Sequence, residues 1–231
     1  MNLIRENIEK IHMKVRDAAK ISGRKPEDIT IVAATKTIPP EKINIAIENG
    51  IKNIGENRVQ EFVEKYDVID KSAVHHFIGH LQSNKVKYLI DRVSLIHSAD
   101  GDKLLNELEK RAAAKDIIVR TLVEINMSEE ESKHGIDKND IMRIIEGNEQ
   151  RKHVKIEGLM TIGPLFASEY GTRKVFEELN KLFLDIGAKK YNNSNMNFLS
   201  MGMSGDYEVA ILEGANIIRL GRVIFGERNY N

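Results

Sequence analysis

The run Ile29-Thr30-Ile31-Val32-Ala33-Ala34, with Thr35-Lys36 directly behind it, is short, almost wholly apolar and rich in β-branched side chains. That composition is the mark of a strand buried on both faces, as in a parallel sheet covered by helices. Upstream, Pro26 opens a turn and Ser22-Gly23 closes an amphipathic segment. There Leu3-Ile4, Ile8, Ile11, Val15 and Ala18-Ala19 recur at three and four residues, one face of a helix. Downstream, Pro39-Pro40 starts a helical pattern over Glu41–Asn49, and Gly50 closes it.

The same cycle then repeats. Further strands are expected at Ile51–Ile54, His75–Ile78, Ser94–His97, Ile117–Ile125, Lys155–Met160, Asn197–Ser200 and Ile217–Leu220. Helical patterns separate them at Val59–Tyr66, Asn84–Ile90, Gly101–Ala114, Lys138–Glu146, Tyr170–Asp185 and Tyr207–Glu213. Eight strands alternating with helices predict an α/β fold, a single (β/α)8 TIM barrel carrying an extra N-terminal helix. An open doubly wound sheet is the rival, since strand count alone does not close a barrel. A chain of 231 residues is close to the ~250 typical of such barrels, and one domain over residues 1–231 is expected.

Composition excludes several classes. Lys plus Arg and Asp plus Glu are both 35, so the basic excess of a nucleic-acid binder is missing. Without cysteine there is no disulfide, thiolate nucleophile or cysteine-ligated metal. No window approaches the ~20 apolar residues of a membrane span, and the charged N-terminal helix does not read as a signal peptide. The cytoplasm is the expected compartment.

In a barrel of this kind, chemistry gathers where strands end and βα loops begin. Lys36 sits at such an end. Desolvation and neighbouring cations lower a lysine pKa from ~10.4, which frees a nucleophilic amine of the Schiff-base type. The alternative is a side chain that snorkels to solvent. Ser200–Gly205 is a loop of small residues ahead of a helix starting near Asp206, suited to an anion, or else an ordinary cap formed by Ser204 or Asp206. Gly221-Arg222 would add amides from the next loop. Arg219, in the otherwise apolar Ile217–Leu220, needs a partner, whether Glu124, another carboxylate or a ligand. His75, His76 and His80 show no metal-ligand spacing with carboxylates, and no metal site is expected. Glu129-Glu130-Glu131 reads as a solvated loop.

Taken in order, seven motifs resemble the pyridoxal phosphate homeostasis protein family, single-domain relatives of the alanine racemase N-terminal barrel. They are Ala33–Thr37 (AATKT), Ile54–Glu61 (IGENRVQE), His76–Lys85 (HFIGHLQSNK), Ser132–Gly135 (SKHG), Gly158–Thr161 (GLMT), Leu199–Asp206 (LSMGMSGD) and Arg219–Gly226 (RLGRVIFG). The resemblance implies that Lys36 holds pyridoxal 5′-phosphate (PLP) as an imine with Asn57 beside the ring. It further implies that Ser200 and the Gly221 and Arg222 amides hold the phosphate, with Met201 in the same cofactor-binding set. Arg219 would approach the pyridine nitrogen, where a permanently protonated guanidinium disfavours a protonated ring and so the carbanion chemistry that ring supports.

Two positions depart from the family pattern: Arg222, where threonine is common, and His80, where a small residue or proline is common. Alanine racemases follow the barrel with a second domain that delivers an opposing tyrosine base, and this chain ends at Asn231. The resemblance therefore implies a protein that buffers or delivers PLP, as a monomer with at most transient contacts to PLP-dependent apoenzymes. A PLP-dependent amino-acid racemase, with Tyr207 or Tyr230 as second base, is the alternative.

Overall fold

Eight parallel strands close on themselves in sequence order. The computed structural model describes residues 2–127, 134–164 and 168–227. Glu129-Glu130-Glu131, Ser132, Lys133 and Tyr230 lie outside the described residues. The strands are β1 (Thr30–Ala34), β2 (Asn53–Glu56), β3 (Val74–Phe77), β4 (Leu95–Ala99), β5 (Val119–Glu124), β6 (Val154–Met160), β7 (Ser194–Ser200) and β8 (Ile217–Leu220). Closure rests on β1 pairing with both β2 and β8. Val32 lies opposite Asn53 on one side and Arg219 on the other. That pairing rules out the open sheet.

The helices are α1 (Asn2–Ile21), α2 (Pro40–Glu48), α3 (Val59–Tyr66), α4 (Asp102–Lys115), α5 (Ile141–Asn148), α6 (Glu169–Gly187), α7 (Tyr207–Leu212) and α8 (Arg222–Phe225). The additional helix α1 lies against α2, α7 and α8. Its predicted apolar face is buried at Ile4, Ile8, Ile11, Val15 and Ala19. Asn7 Nδ2 donates to the Ile224 carbonyl at 3.0 Å, tying α1 to α8.

Several elements differ in their bounds from the sequence expectation, among them β2, β7 and the 3-10 turn Lys138–Asp140 that precedes α5, and two differ in kind. The segment between β3 and β4 is a 3-10 helix, Ser83–Tyr88, rather than a longer α-helix. Val86 is its buried residue. The short α8 was not anticipated, because four residues are too few to show a period.

Two hydrophobic layers result. A large cluster fills the space between strands and helices. A smaller one, Val32, Ile78, Leu95, Leu122, Met160 and Ile217, packs separately. The barrel interior is not wholly apolar: a hydrogen bond from β4 to β7, between His97 and Ser200, must cross it.

Candidate functional site

A cavity of about 580 Å³ opens among the loops that follow the strands, a volume within the usual range for small-molecule sites. Lys36, Asn57, Arg219, Gly221 and Arg222, five of the seven predicted residues, line it. Ser200 and Met201 do not. Both are fully buried, and Ser200 is still the last residue of β7, opposite Met160 of β6 and Ile217 of β8. The hydroxyl on the cavity wall is that of Ser204. Its Oγ accepts the Gly221 and Val223 amides at 3.3 and 3.4 Å, joining the loops after β7 and β8. Neither Ser204 nor Asp206 caps α7 with its side chain. Asp206 Oδ1 instead accepts the Met203 amide at 2.5 Å, and burial raises the pKa of this carboxyl.

The backbone around Lys36 is held by a network that sequence reasoning did not find. Thr37 has φ +64°, a left-handed conformation that costs a β-branched residue roughly 1–3 kcal/mol and persists only where its surroundings enforce it. Glu61 enforces it, with Oε2 accepting the Thr37 amide at 2.7 Å. On the other side of Lys36, the Thr35 carbonyl accepts from Lys65 Nζ at 2.9 Å. Lys65 Nζ also binds Glu56 Oε1 at 2.8 Å and Glu61 Oε2 at 2.9 Å, and Thr35 Oγ1 donates to Glu56 Oε1 at 2.7 Å. Burial pushes Glu56 above the usual carboxylate range, against the pull of Lys65 and Thr35. Burial pushes Glu61 upward as well, but the Thr37 amide, Lys65 and Arg58 outweigh it and hold its pKa low. The Glu61-to-Lys65 spacing of four on α3 was the available sequence signal.

Asn57 is placed by a close approach of two loops. A Cβ on Gly79 would fall 2.2 Å from the Asn57 carbonyl oxygen, so only glycine lets the β3 loop lie against it. Asn57 Oδ1 is buried and has no hydrogen-bond partner. A buried acceptor without a donor is costly, and this one belongs to a residue of the cavity wall.

Arg219 is nearly inaccessible, at 5% exposure. It donates from Nη1 to Ser200 Oγ at 2.6 Å and from Nη2 to the Thr161 carbonyl at 2.8 Å. Burial lowers its pKa to about 10, opposed by the Glu124 and Asp206 carboxyls, so it is charged at neutral pH. Burial raises Glu124 to about 7, with Arg219 opposing and Asp100 adding to the rise.

From Ser200 the hydrogen bonds continue through the barrel. His97 Nδ1 lies 3.0 Å from Ser200 Oγ, His97 Nε2 lies 2.9 Å from His76 Nδ1, and His76 Nε2 lies 3.2 Å from Asn53 Oδ1. Burial, with some repulsion from neighbouring cations, lowers His76 to about 4 and His97 well below its ordinary value. Both rings are therefore neutral. With Asn53 Oδ1 as terminal acceptor, each ring carries its proton on Nε2 and every donor points from Arg219 toward Asn53.

A measurable pH effect follows. His76 falls from 6.5 unfolded to about 4 folded, so the unfolded chain binds the proton first. Its contribution is complete above about pH 6.5 and declines as pH falls toward 4, a loss of about 3 kcal/mol. The stability gap between wild type and His76→Phe should narrow by that amount over the interval, measured by urea unfolding. Nitrogen NMR should show both rings in the Nε2–H form at pH 6. A His76 that titrates near 6.5 would contradict the assignment.

Known proteins resemble this chain in both sequence and fold. The family profile for the alanine racemase N-terminal domain matches residues 5–229. A pyridoxal phosphate homeostasis protein of Aquifex aeolicus is 41% identical over 226 residues, covering 97% of this chain and 98% of that one. Its Escherichia coli K12 counterpart is 34% identical over 235 residues, covering 100% and 99%. Among solved structures, an unknown protein from Bifidobacterium adolescentis superposes with a TM-score of 0.93 at 34% identity, covering 97% of this chain and 95% of that chain. PipY of Synechococcus elongatus PCC7942, with PLP bound, gives 0.82 at 28% identity and covers 96% and 100%. An alanine racemase from Corynebacterium glutamicum shares the fold, with a TM-score of 0.64 at 12% identity over 95% of this chain and 61% of that chain.

Proposed function

We propose, from the premise that this chain belongs to the pyridoxal phosphate homeostasis protein family, that it binds PLP in the Lys36 cavity and serves to buffer or deliver it. One observation carries the reading. Lys36, the unpartnered Asn57 Oδ1, the charged Arg219 and the joined loops of Ser204, Gly221 and Arg222 line one cavity. These residues match the parts of the cofactor. The bound aldehyde supplies an electrophilic carbon, and the Lys36 amine is the group to attach it covalently. The Ser204 hydroxyl and the amides around Gly221 and Arg222 are suited to the phosphate. Ser204 takes the place in this scheme that the resemblance implied for Ser200. Arg219 is the residue to face the pyridine nitrogen, and its permanent charge leaves that nitrogen unprotonated.

Low turnover belongs to the same reading. Racemisation calls for bases on both faces of the cofactor, and among the described residues no tyrosine lines the cavity. Tyr207 is buried at 4% exposure. The reading makes the chain a cytoplasmic monomer that meets PLP-dependent apoenzymes only transiently. Among the described residues no helix is long and apolar enough to cross a membrane.

Titration of the purified chain with PLP tests the proposal. A yellow complex is expected, and borohydride followed by peptide mass mapping should place one adduct on Lys36. An adduct on another lysine, or none, would overturn it. Incubation with single amino-acid enantiomers should show no inversion; inversion of any of them would replace holding with catalysis.

A further inference from the structure

Three donor side chains that no local spacing pairs lie together at the strand ends, outside the cavity of Lys36. His80 follows β3, Asp100 follows β4 and His134 lies in the segment between β5 and β6. His80 Nδ1 is 3.0 Å from Asp100 Oδ2. The His134 ring stacks on that of His80, with centroids 4.0 Å apart and planes 10° from parallel. One ligand atom from each residue lies within 4.8 Å of the other two. Ligands of a tetrahedral zinc, at ~2.0–2.1 Å from the metal, stand about 3.4 Å apart. The cluster must therefore tighten by about an ångström or so and the stacked rings must splay. Both histidines are exposed, so rotation of their side chains meets little resistance.

We propose that His80, Asp100 and His134 form a zinc site with three protein ligands and a fourth position open to water. Two imidazoles and one carboxylate suit a borderline divalent cation. Calcium and magnesium prefer all-oxygen shells, and a chain without cysteine offers no thiolate for a softer ion. The site answers the departure at His80, whose imidazole is the residue that touches both other ligands. It also stands within electrostatic reach of Glu124 in the barrel. Asp100 is one of the charges that raise Glu124, and a dication on Asp100 would offset that influence.

Calorimetric titration of the full, tag-free chain with zinc chloride, in a buffer that does not bind the metal, tests the site. One zinc per chain is expected. Asp100→Asn and His134→Ala should each weaken binding by at least about tenfold, the minimum seen even for groups that only support a ligand. His12→Ala, an exposed imidazole on α1, should bind as wild type does. Cobalt chloride should give the visible absorption of a tetrahedral centre in wild type and lose it in His134→Ala. No zinc uptake by wild type, or a His134→Ala chain that binds as tightly, would overturn the proposal. If Asp100→Asn fails to fold by circular dichroism, His134→Ala decides alone, since its ring is exposed. No cofactor enters the measurement, so its outcome is independent of the function proposed above.

Discussion

Replacing Lys36 by alanine is expected to abolish the borohydride-fixed PLP adduct and to weaken PLP retention by at least about a hundredfold, roughly 2.7 kcal/mol. The amine is the group proposed to bond covalently to the cofactor, and the other cavity residues supply hydrogen bonds and charge. What remains in Lys36→Ala should be loose, reversible binding through the loops of Ser204 and Gly221, competed by inorganic phosphate. Lys36→Arg separates charge from nucleophilicity, since a guanidinium keeps the positive charge but offers no free amine. It too should give no adduct. Dialysis followed by absorbance, with mass mapping after reduction, reads both variants. Equal retention by wild type and Lys36→Ala would remove the covalent link from the proposal.

The second large effect is on stability. Lys65 is nearly buried between Glu56 and Glu61, with side-chain exposures of 11%, 2% and 17%. Lys65→Met leaves Glu56 without its cation, Glu61 with Arg58 alone at 3.9 Å, and the Thr35 carbonyl with the Ile38 amide as its remaining donor. Breaking a buried pair from one side costs about 3–5 kcal/mol, and urea unfolding should show a loss of that size. Adding Glu56→Leu to Lys65→Met should recover part of it, because the pair's attraction and its desolvation largely offset each other. Glu61→Gln is the milder probe. It keeps an acceptor for the Thr37 amide but loses the charge, so PLP binding should weaken more than global stability falls. Equal stability of Lys65→Met and wild type would mean that the network does not hold the Lys36 loop.

These two residues also mark the boundary of what could be read in advance. The place of Lys36 on the cavity wall was legible because it closely follows an almost wholly apolar run, and strand ends in such barrels face the site; an imine there is what the resemblance implies. Lys65 was not legible, because its role depends on α3 lying across the end of β1. The same division separates Ser200 from Ser204. Both are hydroxyls in one short loop motif, and the family resemblance favoured Ser200. In the structure β7 continues through Ser200, which turns its side chain into the barrel toward His97 and Arg219. The chain leaves the sheet after it, and Ser204 reaches the cavity instead.

Periodicity, β-branching and turn residues act over a few neighbouring positions, so the alternation of strands and helices and the extent of α3 and β8 were available from the residues alone. Closure was not. It depends on Val32 lying opposite both Asn53 and Arg219, positions far apart along the chain. The buried path from Arg219 through His97 to Asn53, the clamp on Thr35 and Thr37, and the meeting of His80, Asp100 and His134 all depend on that closure. Each consists of side chains brought together only when the eighth strand pairs with the first or when neighbouring loops meet at one end of the ring, and no local rule of sequence carries that information.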